Sequence, residues 1–426
     1  MPDIIKIMRR AARAATSRGI ARLHNIITVA GLAALIICAD GKNVKRLDAQ
    51  SLPQSGKASD KPLRQAVYYG IVNQGNNLIA KTPRFADKVL IVVPPPPNLV
   101  LGFEDELARA AYQKLKNAPI TNEQKTKIAR DLSASVAAQL TLPQYHNGGF
   151  AISSTMRAKG DYLLFGTIAD PHYLCAAVAL RPETTQNFWF QKSFDRKTIK
   201  PDFRKNMPIE FWHRHIIFHE VGHCLHEAQS ETGESAKVYS HRREMAADIF
   251  VALAALQNGE PDWRNRFRAL MEFRRAEASA FRRLDHATAP ALHRVITDAP
   301  RLRADPVFMR KPPDDLIAMA DEYARNSIRE NYPHLYVPGA YIEQEMLEMT
   351  RVIDDGLQGV VNYAYERSNG KGSSGKRFGP MNSILLAQTI VAANTIFAKP
   401  GNGLIQETPR LCRQPAVAKQ IKDLCR

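Results

Sequence analysis

The sequence has no CxxC pair and no apolar run of the ~18 residues that a membrane span requires. The first absence argues against a cysteine-only zinc site and the second against a polytopic membrane protein. Internal repeats are missing, and no recognisable nucleic-acid-binding module is present, so no nucleic acid is expected as a partner. Acidic residues are few: 42 Asp+Glu stand against 59 Lys+Arg, giving +17 and a pI near 9.7. That charge fits anionic surroundings such as a membrane face or cell-wall polymer, fits a generically basic protein equally well, and carries no information about fold. What is there is ordinary globular composition, 45% hydrophobic and 24% charged, which excludes global disorder, collagen and coiled coil. A chain of 426 residues holds one large domain or two to three small ones.

Residues 1–39 differ from the rest. Lys6, Arg9, Arg10, Arg13, Arg18 and Arg22 face a single acid, Asp3, and the apolar stretch 26–39 follows. A basic segment before a short apolar one reads as an export signal, with small residues allowing cleavage near Ala39. The expected location is therefore periplasmic or secreted. Three rival readings stay open: an uncleaved membrane anchor through 26–39, an organellar transit peptide, and lipidation at Cys38. Beyond Cys38 the cysteines are Cys175, Cys224, Cys412 and Cys425. In an oxidising compartment these give two disulfides with three connectivities. Cys412 with Cys425 is the first choice, against the alternative of four unpaired thiols.

Residues 40–62 are polar and aperiodic and read as a flexible linker. Segments 66–72, 88–93, 161–169 and 173–180 read as strands, the last two joined through a turn at Pro171. Segments 103–117 and 121–140 have helical spacing, and from residue 208 nearly everything does. Mixed α/β followed by helices is an α+β order. The expected organisation is one domain over 63–426, with 63–207 mixed α/β, 208–260 two helices bearing the chemistry, and 261–426 helical. Gly370 to Lys376 matches the spacing of a phosphate-binding GxxxxGK. Arg377 replaces the required hydroxyl, however, and neither a strand before nor a helix after is indicated, so the stretch reads as a loop.

The informative segment surrounds His219, Glu220 and His223. Asn206 is a candidate cap and Pro208 suits a first helical turn. Phe211, Phe218 and Leu225 then recur every seven residues as a core face. Histidines four apart project from one helix face, where both can reach one tetrahedral zinc at ~2.0–2.1 Å. Glu220 lies about 100° further round, placed to take a proton from a metal-bound water instead of ligating. This is the logic of HExxH hydrolysis. A second helix, opening near Ser240 and ended by Gly259 and Pro261, puts Glu244 and Asp248 on one face. Glu244 can supply the oxygen ligand, and Asp248 can accept the other N–H of a zinc histidine. Ile249, Phe250, Leu253 and Leu256 supply its apolar side.

This constellation resembles the gluzincin metallopeptidases, in which HExxH is followed on a second helix by Glu and, four residues later, Asp. The form Glu244-Met-Ala-Ala-Asp248 is similar to the E-x-x-A-D of membrane-associated prenyl-protein and heat-shock peptidases. The resemblance covers residues 219–248. It implies a zincin-like fold and one catalytic zinc on His219, His223 and Glu244 with one open position. It also implies Glu220 as general base and Asp248 as the partner of His219. Gluzincins commonly add a His or Tyr that stabilises the oxyanion; His286, His293, Tyr239, His241, Tyr323 and His334 are eligible here, with His286 preferred.

His215 and His226 flank the motif. A histidine seven residues from His219 lies about 10 Å along the axis, too far for one zinc, so both read as solvated or supporting residues. Cys224 reads as core. The arginine-rich segment 264–284 reads as a helix with Phe267, Leu270, Met271, Phe281 and Leu284 inside and a solvated basic face outside. The expected function is a zinc-dependent endopeptidase, with zinc-activated water and Glu220 as base, acting on a peptide or protein substrate. The alternative is a non-catalytic exported zinc protein that binds envelope polyanions.

Overall fold

The computed structural model describes residues 61–94, 102–141, 149–159, 162–164, 169–179, 201–226, 236–280 and 284–332, with isolated positions 166 and 413. The expectations for residues 1–39, most of the linker, the 369–380 loop and the Cys412–Cys425 pair lie outside them. The described part is mostly helical around a small mixed sheet, an α+β arrangement. No helix among the described residues is long and apolar enough to cross a membrane.

The chain opens with α1 (Lys61–Ala80) and the short α2 (Pro83–Ala86). Strand β1 (Val89–Val92) follows, then α3 (Phe103–Lys114) and α4 (Asn122–Leu140). A capping box starts α4, with the Gln124 N–H donating to Thr121 Oγ1 and the Thr121 N–H to Gln124 Oε1. Strands β2 (Gly149–Ser153), β3 (Arg157–Lys159), β4 (Tyr162–Leu164) and β5 (Cys175–Ala179) complete the β part.

The sheet order is β1-β5-β2, with β5 parallel to β1 and antiparallel to β2. Alternate residues enter different cores. Val89, Ile91, Cys175 and Ala177 join the large core, while Leu90, Val92, Ala176 and Val178 join a second core under α3 and α4. A strand covered on both faces needs apolar residues throughout, which is why β1 and β5 read as unbroken hydrophobic runs.

Two strand expectations are corrected. Residues 66–72 belong to α1, where Ile71, Val72 and Ile79 reach the core at helical spacing. Burial along one helix face outweighs the β-propensity of the run. Segments 161–169 and 173–180 do not form a hairpin. Among the described residues of the first, Tyr162–Leu164 is strand and pairs with β3, while β5 pairs with β1 and β2.

The second half contains α5 (Pro201–Asn206), α6 (Ile209–Leu225), α7 (Ala236–Gln257) and α8 (Trp263–Ala280). A 3-10 turn (Leu284–His286), α9 (Ala289–Ala304) and α10 (Pro313–Asn331) follow. Asn206 ends α5 instead of capping α6, for which Pro208 holds the cap position. Phe211, Phe218 and Leu225 are buried as expected. Helix α7 begins before Ser240 and is buried all round, with Met245, Ala246, Ile249, Phe250, Leu253 and Leu256 fully enclosed.

Cys224 is buried, but it is not a free core thiol: it is disulfide-bonded to Cys175, tying α6 to β5 across 49 residues. This pair rules out the two expected connectivities that join Cys175 or Cys224 to the C-terminal cysteines, and Cys412 and Cys425 themselves lie outside the described residues.

Candidate metal centre

Glycine and alanine bring the two central helices together. A Cβ on Gly222 would stand 3.2 Å from Ala247 Cα and 3.3 Å from Phe250 Cδ1, so α6 and α7 cross nearly backbone to backbone. Each side of that crossing carries motif residues: His219 and His223 on α6, Glu244 and Asp248 on α7. A second close approach involves Gly149 at the start of β2. A Cβ there would lie 2.8 Å from Val178 O and 2.9 Å from Glu220 Cγ, so only glycine lets the strand run against Glu220.

His219 Nε2 lies 3.0 Å from Glu244 Oε2, and His223 Nε2 lies 3.4 Å from Glu244 Oε1. Donors bound to one tetrahedral ion at ~2.0–2.1 Å stand about 3.3 Å apart. The donor atoms already match that spacing, and this buried His/His/Glu group can hold a metal ion. Asp248 accepts a 2.7 Å hydrogen bond from His219 Nδ1, which turns Nε2 toward the other donors. Glu220 is buried next to this group and feels the charges of His219 and Glu244, but is not one of the converging donors.

The electrostatics follow from burial opposed by pairing. Burial pushes Glu220 up to about 7. Burial disfavours a charged His219, but the Asp248 carboxylate and the hydrogen bonds that the ring donates to Asp248 and Glu244 overcome it and lift the metal-free ring to about 10. His223 is drawn by burial down to about 3 and His215 to about 4. Burial opposes the charge on Asp248 too, yet Arg274 and His219 hold it well below the usual carboxylate range. A metal reaching His219 Nε2 must displace a proton, so its binding strengthens with rising pH.

Around Asp248 is a shell that the motif does not announce. Arg274 Nε and Nη2 donate to its two oxygens at 2.8 and 2.7 Å. Thr288 Oγ1 donates at 2.5 Å, and His215 Nε2 lies 3.1 Å from Oδ1. Arg274 belongs to the arginine-rich helix, whose arginines were expected on a solvated face; this one is buried. Its spacing from Phe267, Leu270 and Met271 places it on the apolar stripe, and that is the signal that could have found it.

Of the six candidates for oxyanion stabilisation, His286 comes to the site, with Nε2 3.4 Å from Glu244 Oε2. His241 Nε2 instead donates to Ala287 O, Tyr323 donates its hydroxyl to Asp298, Tyr239 is enclosed in the core and His293 is exposed. His334 lies outside the described residues. His215 and His226 are not solvated. His215 sits on Asp248, and His226 Nε2 pairs with Asp321 at 2.7 Å, where Arg242 also bonds. Compared with known proteins, the chain matches no family model, no curated protein and no solved structure.

Proposed function

We propose that this chain is a zinc-dependent peptidase of zincin-like fold, with the metal on His219, His223 and Glu244 and with Glu220 as general base. The supporting observation is the convergence of those three donors at 3.0 and 3.4 Å beside a buried carboxylate that is not one of them. A purely structural site needs no such carboxylate. A zinc ion held there supplies Lewis acidity, polarising a carbonyl oxygen and acidifying an adjacent water.

The remaining work falls to side chains. Asp248 orients the His219 ring and fixes its tautomer through the 2.7 Å bond. Glu220 takes the proton of the attacking water and hands it to the leaving amine. His286 Nε2, at the edge of the triad, donates to the oxygen on which negative charge builds. A peptide substrate is favoured by β2, one of the two outer strands of the sheet among the described residues, whose Gly149 lies against Glu220. An extended peptide can add to such an edge with its carbonyl beside the base.

The test is a peptide-library digest with zinc-loaded wild type and Glu220→Gln, with zinc content measured in both. The expected result is equal zinc and a loss of cleavage of ~10²-fold or more in the variant. Equal cleavage would refute the role of Glu220. Absence of cleavage by either protein would refute the peptidase.

A further inference from the structure

We infer that Arg274 is a positioning residue that locks His286 in the tautomer carrying its proton on Nε2, and so readies that N–H at the metal edge. A guanidinium has five N–H donors and no acceptor. Arg274 Nη1 stands 2.9 Å from His286 Nδ1, so Nδ1 must be the acceptor in this contact. A neutral imidazole whose Nδ1 accepts carries its hydrogen on Nε2. That nitrogen lies 3.4 Å from Glu244 Oε2, which in turn lies 3.0 Å from His219 Nε2. The hydrogen is therefore delivered where the donors converge.

The lock is stiff because the guanidinium is held elsewhere. Nε and Nη2 grip both oxygens of Asp248 in a fork, a geometry that fixes the plane of the group. Rotating the plane toward or away from His286 would break both bonds. The backbone around His286 is held as well. Thr288, two residues on, donates to Asp248, and Ala287 O accepts from Tyr332 Oη at 3.0 Å and His241 Nε2 at 3.2 Å. A donor used in a transition state gains from being oriented beforehand, since no reorganisation is then needed as charge develops. One arginine thus serves both sides of the centre, steadying the carboxylate behind His219 and selecting the tautomer of His286.

A simpler role, neutralising Asp248, would be met by any cation. Lysine supplies the charge but not a planar fork with a third N–H to spare, so Arg274→Lys separates the two roles. The use made of the N–H rests on the peptidase reading; the tautomer does not. The first measurement is therefore made on the metal-free, full-length chain labelled with 15N-histidine. Two-bond 15N–1H couplings report each tautomer, and the His286 signals are identified by their loss in His286→Gln. Wild type should show His286 with its proton on Nε2, and Arg274→Lys should show the Nδ1–H form or a mixture. An Nδ1–H form in wild type, or an unchanged tautomer in Arg274→Lys, would overturn the inference.

The second measurement is on the zinc-loaded proteins. Arg274→Lys should lose roughly 10²-fold in kcat, with KM and zinc content within about twofold of wild type. Adding His286→Gln should bring little further loss, because residues acting as one unit are not additive. Loss of zinc in Arg274→Lys, or multiplicative losses in the double variant, would show that Arg274 acts by another route. If wild type cleaves no peptide, the proposed function fails while the couplings still decide the case for Arg274.

Discussion

Replacing Gly222 by alanine should separate folding stability from metal affinity. The new Cβ would meet Ala247 Cα at 3.2 Å and Phe250 Cδ1 at 3.3 Å, close enough that a neighbour must yield by a few tenths of an ångström. In the helix interior, alanine is favoured over glycine by about 1 kcal/mol. That gain offsets part of the crowding, and the metal-free protein should melt within a few degrees of wild type. The metal site has no such compensation. Gly222 adjoins His223, and Ala247 adjoins Asp248, so pushing the helices apart moves the donors themselves. Their 3.0 and 3.4 Å separations bracket the tetrahedral spacing, and a plausible site tolerates distance errors of only about 0.2 Å.

The expected outcome for Gly222→Ala is a fall in zinc affinity of about tenfold or more, equivalent to roughly 1.4 kcal/mol. Gly222→Val, which is larger, should weaken zinc further and cost about 1–3 kcal/mol of stability through overpacking. Competition against a chromophoric chelator measures the first quantity and thermal melting of the metal-free protein the second. Gly70→Ala is the control: a Cβ there meets nothing within 4 Å, so it should leave zinc affinity unchanged. Unaltered zinc binding in folded Gly222→Val would refute the idea that this crossing sets the donor spacing.

Two further outcomes follow from burial and covalent constraint. Removing the Cys175–Cys224 bond in a Cys175→Ala/Cys224→Ala variant reopens a loop spanning 49 residues, which chain entropy puts at about 4 kcal/mol; a denaturation midpoint unchanged from wild type would contradict it. The metal-free protein should also be acid-labile below pH 6.5. Burial depresses His213, His215 and His241 to about 4 and His223 to about 3, and lowers His226 as well. Below 6.5 the unfolded chain thus takes up protons at the four rings depressed to about 3–4 that the folded one refuses, while Glu220, raised to about 7, offsets one. The unfolded state then binds more protons, so stability rises with pH, by up to roughly 4 kcal/mol per pH unit for three protons, with His226 adding in the same direction. His219 is protonated in both states there and adds no slope; its contribution is present below 6.5 and fades as pH climbs through about 10. A melting temperature flat from pH 7.5 to 5 would rule this out.

The parts of the fold that could be read in advance are those where one physical demand dominates. Strands β1 and β5 are buried on both faces, and the apolar runs say so. Helices α3 and α4 are covered on one face only, and their spacing shows it. Helix α1 misled because its segment Ala66–Val72 carries β-branched and aromatic residues within one turn of each other. Its identity is settled by what lies beyond that window, namely Gly75 meeting Ile91 and Ile79 entering the core. The pairing of 162–164 with β3 instead of β5 was legible but overlooked: the two strands are separated only by Gly160-Asp161, a dipeptide that favours a tight hairpin.

The site divides along a similar line. His219, Glu220, His223, Glu244 and Asp248 were legible because a metal centre on two helices needs donors at helical spacing, and spacing is what a sequence displays. Residues that serve the site through other side chains carry no spacing of their own. Arg274 looked like one arginine among seven in a basic stretch, although its position on the Phe267, Leu270 and Met271 stripe turns it inward. A long cation on an apolar stripe must find a buried anion, because an unpaired charge there is prohibitively costly. Within reach of α8, that anion is Asp248, the carboxylate the motif had already marked. Motif and stripe taken together therefore predict the Arg274–Asp248 pair. His286 was the preferred one of six candidates, but neither motif nor stripe fixes its place, which depends on a 3-10 turn held by Tyr332, His241 and Thr288 from three different elements.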